Sequence, residues 1–556
     1  MRQGTTRNRL VLLVAAAGLL AATLESFPGA AAGTASAAPP NPIPAGVSVP
    51  QPAARTNTRV VEETPAYYVE KYKKSELVRV DDTHVRFPYM QAPLPIYKED
   101  ADSIYIRTEK TSPEEYRAAR EERDRARKDR EKANLARLEA AAKTSNLIVT
   151  PEDFSTLAPP RSTKILAFRR AGEGLPVRGQ WRENIGVGDI DGDGKADIVA
   201  SPARLSGFPL FHVYLGDGKG NFHEQTVHVE DAAGKPLNPK LTYGGVALAD
   251  FDGDHRLDIA IASHGGTIRV FSNLGGGRYR QASEGLPTAF SSQAIAVFDV
   301  DGDGRPDLVV SQDMINNDLR KKRGQDNRQV RVFLNQGQGK WQQSPQLDGA
   351  CFSFNVFAID LAGKGKRDLL TGCRSHGEYG LTWRNDGKGT FSQDLSDLFE
   401  QVAYHFAVAP GTLGARHTTA FAELYSKDAG GLRAGGLNVY SRDSEGWHKV
   451  AIWRQKFFSG RLTTVAMGDL DGDGLDDVVF PDRTGGKVRI FFQTAKGTFE
   501  EAPEASEPAL DSPVADTRLA DVNGDGRLDI VMAKTIFSEK PRDPGGFEVL
   551  LNGAKP

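Results

Sequence analysis

Cysteine is nearly absent: Cys351 and Cys373 are the only two in 556 residues, which excludes a disulfide-stapled scaffold and a four-thiolate zinc site. At most the pair forms one disulfide bracing a single hairpin. Long apolar runs are also missing. The most pronounced run, residues 10–24, falls short of the ~20 residues that cross a bilayer. Neither charge sign dominates, with 70 Lys+Arg against 73 Asp+Glu and a formal net charge of -3, so a polybasic nucleic-acid binder is excluded. The ten histidines form no HExxH, and the chain has no GxSxG elbow and no GxxxxGK[ST] loop. Common hydrolase and nucleotide-binding signatures are therefore not on offer.

What the chain has in excess is glycine, 58 residues without a collagen-like period, which points to many tight turns and a β protein. Its start is distinct. Arg2, Arg7 and Arg9 precede the apolar run, and Ala35-Ser36-Ala37 offers a small-residue cleavage site, so residues 1–37 read as a signal peptide and the protein as secreted. No stable membrane span is expected after cleavage. Residues 38–110 read as a linker region, Pro/Ala-rich and then irregular, with tyrosines and prolines in no sustained period. Residues 111–145 are expected to form a charged spacer helix, because Ser112-Pro113-Glu114-Glu115 supplies a cap, a first-turn proline and two carboxylates at the positive end of the helix dipole.

Beyond residue 160 the sequence repeats. Asp189-Ile-Asp191-Gly-Asp193-Gly-Lys195-Ala-Asp197 recurs as Asp250-Phe-Asp252-Gly-Asp254-His-Arg256-Leu-Asp258 and Asp299-Val-Asp301-Gly-Asp303-Gly-Arg305-Pro-Asp307. It returns as Asp469-Leu-Asp471-Gly-Asp473-Gly-Leu475-Asp-Asp477 and Asp521-Val-Asn523-Gly-Asp525-Gly-Arg527-Leu-Asp529, with a worn copy from Asp360 to Asp368. The first aspartates stand 61, 49, 61, 109 and 52 residues apart. The gap of 109 holds two ordinary spacings, so a seventh, hidden copy is expected near residues 410–415. Each repeat reads strand, Asp loop, strand, third strand, Gly-rich turn and an aromatic-led fourth strand, the aromatics being Phe222, Tyr279, Trp341, Phe391, Trp447 and Phe499. Four strands per ~50 residues is a propeller blade. The expected fold is all-β, a seven-bladed β-propeller over residues 161–556. The last repeat lacks a fourth strand, and residues 163–168 are expected to supply it and close the ring.

Oxygen donors at loop positions 1, 3, 5 and 9, with a backbone carbonyl at position 7, suit a hard cation that takes six to eight oxygens, and calcium is the matching ion. About five Ca²⁺ are expected, one per intact loop. The ligand sets are Asp189, Asp191, Asp193, Lys195 and Asp197; Asp250, Asp252, Asp254, Arg256 and Asp258; Asp299, Asp301, Asp303, Arg305 and Asp307; Asp469, Asp471, Asp473, Leu475 and Asp477; and Asp521, Asn523, Asp525, Arg527 and Asp529. Four close anions at fixed spacing would repel without a metal, whereas an ordinary turn needs only one such residue. In the worn fourth copy Ala362 removes a ligand, and Lys364 is expected to stand in as a built-in cation. The fifth has no carboxylate over residues 410–418. His255 replaces the position-6 glycine of the second loop, which should weaken that site.

Gly186-Val-Gly-Asp-Ile-Asp-Gly-Asp-Gly-Lys-Ala-Asp-Ile-Val-Ala and Gly245-Val-Ala-Leu-Ala-Asp-Phe-Asp-Gly-Asp-His-Arg-Leu-Asp-Ile resemble the FG-GAP/VCBS repeats of the integrin α-subunit propeller and its bacterial secreted relatives. The resemblance implies a calcium-carrying propeller used in adhesion, binding an extracellular glycan or protein. A calcium-dependent polysaccharide lyase or hydrolase is the alternative, with scattered Arg, Lys, Tyr or His as its acid and base; His405 and His417, flanking the worn fifth loop, are candidates. A purely structural envelope component is a third reading. Connectivity places the Asp loops on one face and the second-to-third-strand loops, 312–329, 425–436 and 534–546, on the other. The first of these carries Arg320, Lys321, Lys322, Arg323 and Arg328, a candidate face for an anionic ligand.

Overall fold

The computed structural model describes residues 60–109 apart from 64–66, 75–76 and 87–93; 156–312 apart from 183, 205–209 and 289; 330–344, 347, 356–361, 365–371, 381–394, 403–429, 432–443, 446–456, 464–482, 485–535 and 545–553. The expected signal peptide, spacer helix, cysteine pair, Lys364 and basic cluster at 320–328 lie outside the described residues. No α-helix occurs among those described, and no helix there is long and apolar enough to cross a membrane. The chain divides into two compact units, Met1–Asn146 and Leu147–Pro556.

In the first unit, residues 60–109 correct the expectation of an irregular segment. Val60–Glu63, Tyr67–Lys73, Ser103–Glu109 and Lys98–Glu99 form one sheet, and Val78–Arg79, His84–Arg86 and Leu94–Pro95 a second. Tyr72, Leu77, Val85, Ile104 and Ile106 make a small buried core. Aspartate side chains shape two of the turns: Asp81 Oδ1 accepts the Thr83 amide at 2.8 Å, and Asp100 Oδ1 accepts the Ser103 amide at 2.8 Å. Several of these strands are only two or three residues long, too short for a visible alternation of apolar and polar residues.

Among the described residues of the second unit the strands fall into seven successive, mainly antiparallel sheets, sheet one to sheet seven. Sheet one runs Gly186–Gly188, Asp197–Ala200, His212–Gly216, Phe222–Glu224, and the others repeat that meander. Sheet two gains a fifth strand, His228–Glu230, parallel to Arg278–Gln281. First strands of consecutive sheets pack on one another. The Ile185 amide, just ahead of the first strand of sheet one, donates to Asp516 Oδ2 of sheet seven at 2.9 Å. Asn184, just ahead of sheet one, and Phe357, Val408, Met467 and Thr517, from sheets four to seven, line a central cavity of about 250 Å³. This is a β-propeller.

The packing explains the composition of the second strands. Asp197–Ala200, Asp258–Ile261 and Asp368–Thr371 are buried at every residue, because each lies in a sheet covered on both sides by neighbours. Each core belongs to a pair of sheets: Val199 and Val213 of sheet one meet Ile259 and Phe271 of sheet two in a single cluster. Aromatics of the fourth strands wedge between neighbours. Tyr279 of sheet two lies edge-on to Phe211, 5.1 Å between centroids, and Trp341 of sheet three lies edge-on to Phe251 at 5.6 Å.

Ring closure is real but displaced. Phe168–Ala171, not 163–168, completes sheet seven beside Gly546–Asn552, in the register Asn552↔Phe168 to Val549↔Ala171. Residues 161–166 are held elsewhere: Ser162 N–H donates to Glu501 O of sheet six at 2.8 Å, and Leu166 N–H to Ser506 Oγ at 2.9 Å. Sheet five holds a second correction. Its strands Thr418–Ala429 and Leu432–Asp443 take up residues 425–429 and 432–436 of the expected long connection at 425–436, which are strand instead. In the hairpin before it, Ala403–Leu413 with Thr418–Ala429, His405 pairs with Tyr425 toward one end and His417 sits in the turn at the other. At ~3.3 Å per residue they are roughly 25 Å apart along the strand, and the structure does not bring them together.

Candidate metal centre

Each Asp loop joins the first two strands of its sheet and is built on backbone amides. Asp189 Oδ1 accepts Gly192 N–H at 2.8 Å and Asp193 N–H at 3.0 Å, while Oδ2 accepts Gly194 N–H at 2.8 Å. Asp250, Asp299, Asp469 and Asp521 repeat all three bonds. Such wrapping forces a positive φ at position 6. Gly194 adopts +83°, and His255 takes the same region at +67°, a cost that a side chain with a Cβ does bear.

Positions 1, 3 and 5 present their carboxylates outward, half-buried or exposed. Three carboxylates come within 4.8 Å of one another in four loops: Asp189, Asp191 and Asp197; Asp250, Asp252 and Asp254; Asp299, Asp301 and Asp303; Asp469, Asp471 and Asp477. In the seventh loop Asn523 replaces the position-3 acid and donates Nδ2 to Asp525 Oδ2 at 3.1 Å. One atom tests whether a cation fits. Asp301 Oδ1 is buried and has no hydrogen-bond partner among the described residues; a desolvated carboxylate oxygen left so is costly unless something positive faces it. The donors are all hard oxygens, which suits Ca²⁺ and excludes soft-ligand metals.

Position 9 does different work. Asp197, Asp258, Asp307, Asp477 and Asp529 are at most 1% exposed. Oδ2 of each accepts the position-2 amide, Ile190 N–H to Asp197 at 2.8 Å for example, and Oδ1 accepts an amide at the end of the third strand, Asn335 N–H to Asp307 at 2.7 Å for example. Burial, with the neighbouring loop carboxylates adding to it, pushes these acids up: Asp197 and Asp529 to about 6, Asp258 and Asp307 to about 7, Asp477 to about 8. The backbone bonds oppose the rise without cancelling it.

The position-7 side chains, expected to matter only through their carbonyls, are also engaged. Lys195 Nζ lies 2.6 Å from Asp193 Oδ2, and the guanidinium groups of Arg256, Arg305 and Arg527 pair with Asp254, Asp303 and Asp525. Each arginine Nε also reaches the carbonyl of an asparagine at the end of the third strand: Asn273, Asn335 or Asn552. Loop six has the apolar Leu475 there, and a distant residue serves instead: Lys164 Nζ lies 2.5 Å from Asp471 Oδ2 and 2.7 Å from Asp473 Oδ2. In the worn fourth copy the described cation on Asp368 is Arg384, at 2.8 Å.

Those asparagines are the functional residues that sequence reasoning missed. Asn273 Nδ2 donates to Ile190 O at 2.6 Å, Asn335 to Phe251 O at 2.8 Å, Asn385 to Val300 O at 3.0 Å and Asn552 to Leu470 O at 2.6 Å. Each acceptor is the position-2 carbonyl in the Asp loop of the preceding sheet. Gln493 makes the equivalent reach to Thr412 O at 3.0 Å. In sheet one the position is Gly216, where a Cβ would meet Ala196 O at 2.2 Å. The signal was present as Asn273-Leu-Gly, Asn335-Gln-Gly and Asn385-Asp-Gly.

The strand before residues 313–329 begins at Asp307 in the third loop and ends at Gln312, so that connection leaves from the edge opposite the Asp loops. Arg320, Lys321, Lys322, Arg323 and Arg328 fall within it.

Residues 189–261, 250–310 and 469–532 match the FG-GAP-like repeat model. No curated protein matches the chain. Among solved structures, BBS1N in complex with ARL6DN aligns at 12% identity with a TM-score of 0.42, over 71% of this chain and 99% of that one. The V. cholerae biofilm matrix protein Bap1 aligns at 14% identity with a TM-score of 0.40, over 71% and 92%. The Penicillium chrysogenum alpha-L-arabinanase complexed with arabinobiose aligns at 11% identity with a TM-score of 0.36, over 72% and 98%.

Proposed function

The chain carries FG-GAP-like repeats, and we propose that it is a secreted, calcium-stabilised seven-bladed β-propeller that binds an extracellular glycan or protein. Asp301 carries the metal part of this reading: its Oδ1 is buried without a hydrogen-bond partner among the described residues, and one of its carboxylate oxygens lies within 4.8 Å of one each from Asp299 and Asp303. Positions 1, 3 and 5 of the five loops would hold the ions, with the position-7 carbonyls beside them. A bound ion would supply the positive charge that lets these carboxylates stay ionised together. The ring then presents its opposite edge to the ligand, and the cationic stretch 320–328 favours an anionic one.

The test takes purified protein in millimolar Ca²⁺ over immobilised acidic and neutral polysaccharides. Retention on the acidic matrix is expected. A variant with Arg320, Lys321, Lys322 and Arg323 all replaced by serine should lose most of that retention at an unchanged melting temperature. Equal retention of the variant would exclude this edge as the anionic face.

A further inference from the structure

Loop six is neutralised from a distance. In the first, second, third and seventh loops the position-7 side chain pairs with the position-5 carboxylate alone. In loop six the ammonium of Lys164 instead bridges two carboxylates, Asp471 Oδ2 and Asp473 Oδ2. Their other oxygens already accept amides within the loop, Asp473 N–H at 3.2 Å and Leu475 N–H at 3.0 Å. Lys164 therefore takes the oxygens left for a metal. Its stem places the ammonium 5.5 Å from the centre of the Phe492 ring. It is held by the segment that Arg161 and Leu166 tie to sheet six and its exit turn, Arg161 Nη1 reaching Glu507 at 3.3 Å. Four residues later the chain enters the strand that closes the ring.

We infer that Lys164 is a tethered cation that competes with the metal for the sixth Asp loop, so that this loop fills last and stays neutralised when calcium is withdrawn. The inference rests on the calcium reading above. A lysine ammonium and Ca²⁺ cannot share the same two oxygens, since like charges at contact repel. The side chain is 43% exposed, so it can swing out to let the ion in. The competition is local: among the described residues the other four loops have no such bridging cation.

Calcium binding is measured by calorimetric titration and by metal analysis after dialysis, for the full chain and for Lys164→Met, which keeps the apolar stem over Phe492. In the wild type one site of about five should be weaker than the rest, by roughly tenfold or more if a charged hydrogen-bonded pair must be broken. In the variant that site should join the others. Melting temperatures distinguish competition from a merely structural role. With chelator Lys164→Met should melt below wild type, and in saturating Ca²⁺ the difference should vanish. Lys164→Arg, which keeps a cation, should behave like wild type and guards against a fold defect. Unchanged affinities, or an equal loss of melting temperature with and without calcium, overturn the inference alone. A wild-type protein that binds no calcium overturns the metal reading and this inference with it.

Discussion

Within a single loop the same residue type has two jobs. Asp301 offers outward oxygens and leaves one of them buried and unmatched, while Asp307 spends both on buried amides of Val300 and Asn335. Their substitutions should differ in kind. Asp301→Ala should remove one calcium ion from the saturated protein and leave the chelated protein as stable as before, or more so, because an unpaired buried charge is gone. Asp307→Ala orphans two buried donors, at about 1–3 kcal/mol each, and should destabilise with and without metal. Denaturant midpoints in chelator and in calcium, with ion counts by metal analysis, separate the two; equal losses in chelator would mean that position 3 also holds the backbone. The spacing of the acids was legible in the sequence, since a nine-residue pattern recurs. Their division of labour was not, because it depends on which amides the fold brings alongside each carboxylate.

Between neighbouring sheets, the asparagine at the end of the third strand joins two Asp loops. Asn335 Nδ2 reaches Phe251 O in loop two and Pro306 O in loop three, at 2.8 and 3.2 Å. Asn335→Ala leaves both carbonyls unmatched beside a small cavity, so unfolding stability should fall by about 1–3 kcal/mol. Calcium affinity should drop in loop two, whose sequence is untouched, as well as in loop three. Titration of Asn335→Ala against Asp252→Ala and Asp301→Ala backgrounds checks this; an effect confined to loop three would deny the coupling. Strands of the repeats were readable from β-rich runs beside each Asp loop, and the hidden fifth from the pitch alone. Two things escaped. The strands of residues 60–109 are too short to show a period, and the closing strand moved to Phe168–Ala171 because Lys164 and Leu166 are committed to sheet six and its exit turn. Such commitments are contacts across more than three hundred residues, which no local pattern records.

Across the whole ring the buried position-9 acids act together through pH. All five have folded pKa values raised above the ordinary carboxylate value, to about 6, 7, 7, 8 and 6 in chain order. A raised carboxylate means that the native state binds more protons than the unfolded one between the two pKa values. Stability then falls as pH rises through that window. The chelated protein should therefore melt highest near about pH 4, where the unfolded carboxylates ionise, and progressively lower up to about pH 8, where the last of these acids has ionised. Calcium reverses the sign. An ion among the loop carboxylates offsets the repulsion that helps raise these values, and protons compete with it for the same oxygens. In millimolar Ca²⁺ the melting temperature should hold steady from pH 6 to 8 and fall below about pH 5, as protonation strips the ion. The seam between sheets seven and one, where Gly216 supplies no side-chain tie, should open first in chelator at pH 8, seen as faster amide exchange at residues 212–222 than at 269–281, where Asn273 bridges to the preceding loop. Identical pH profiles with and without calcium would show that these buried acids do not sense the loops beside them.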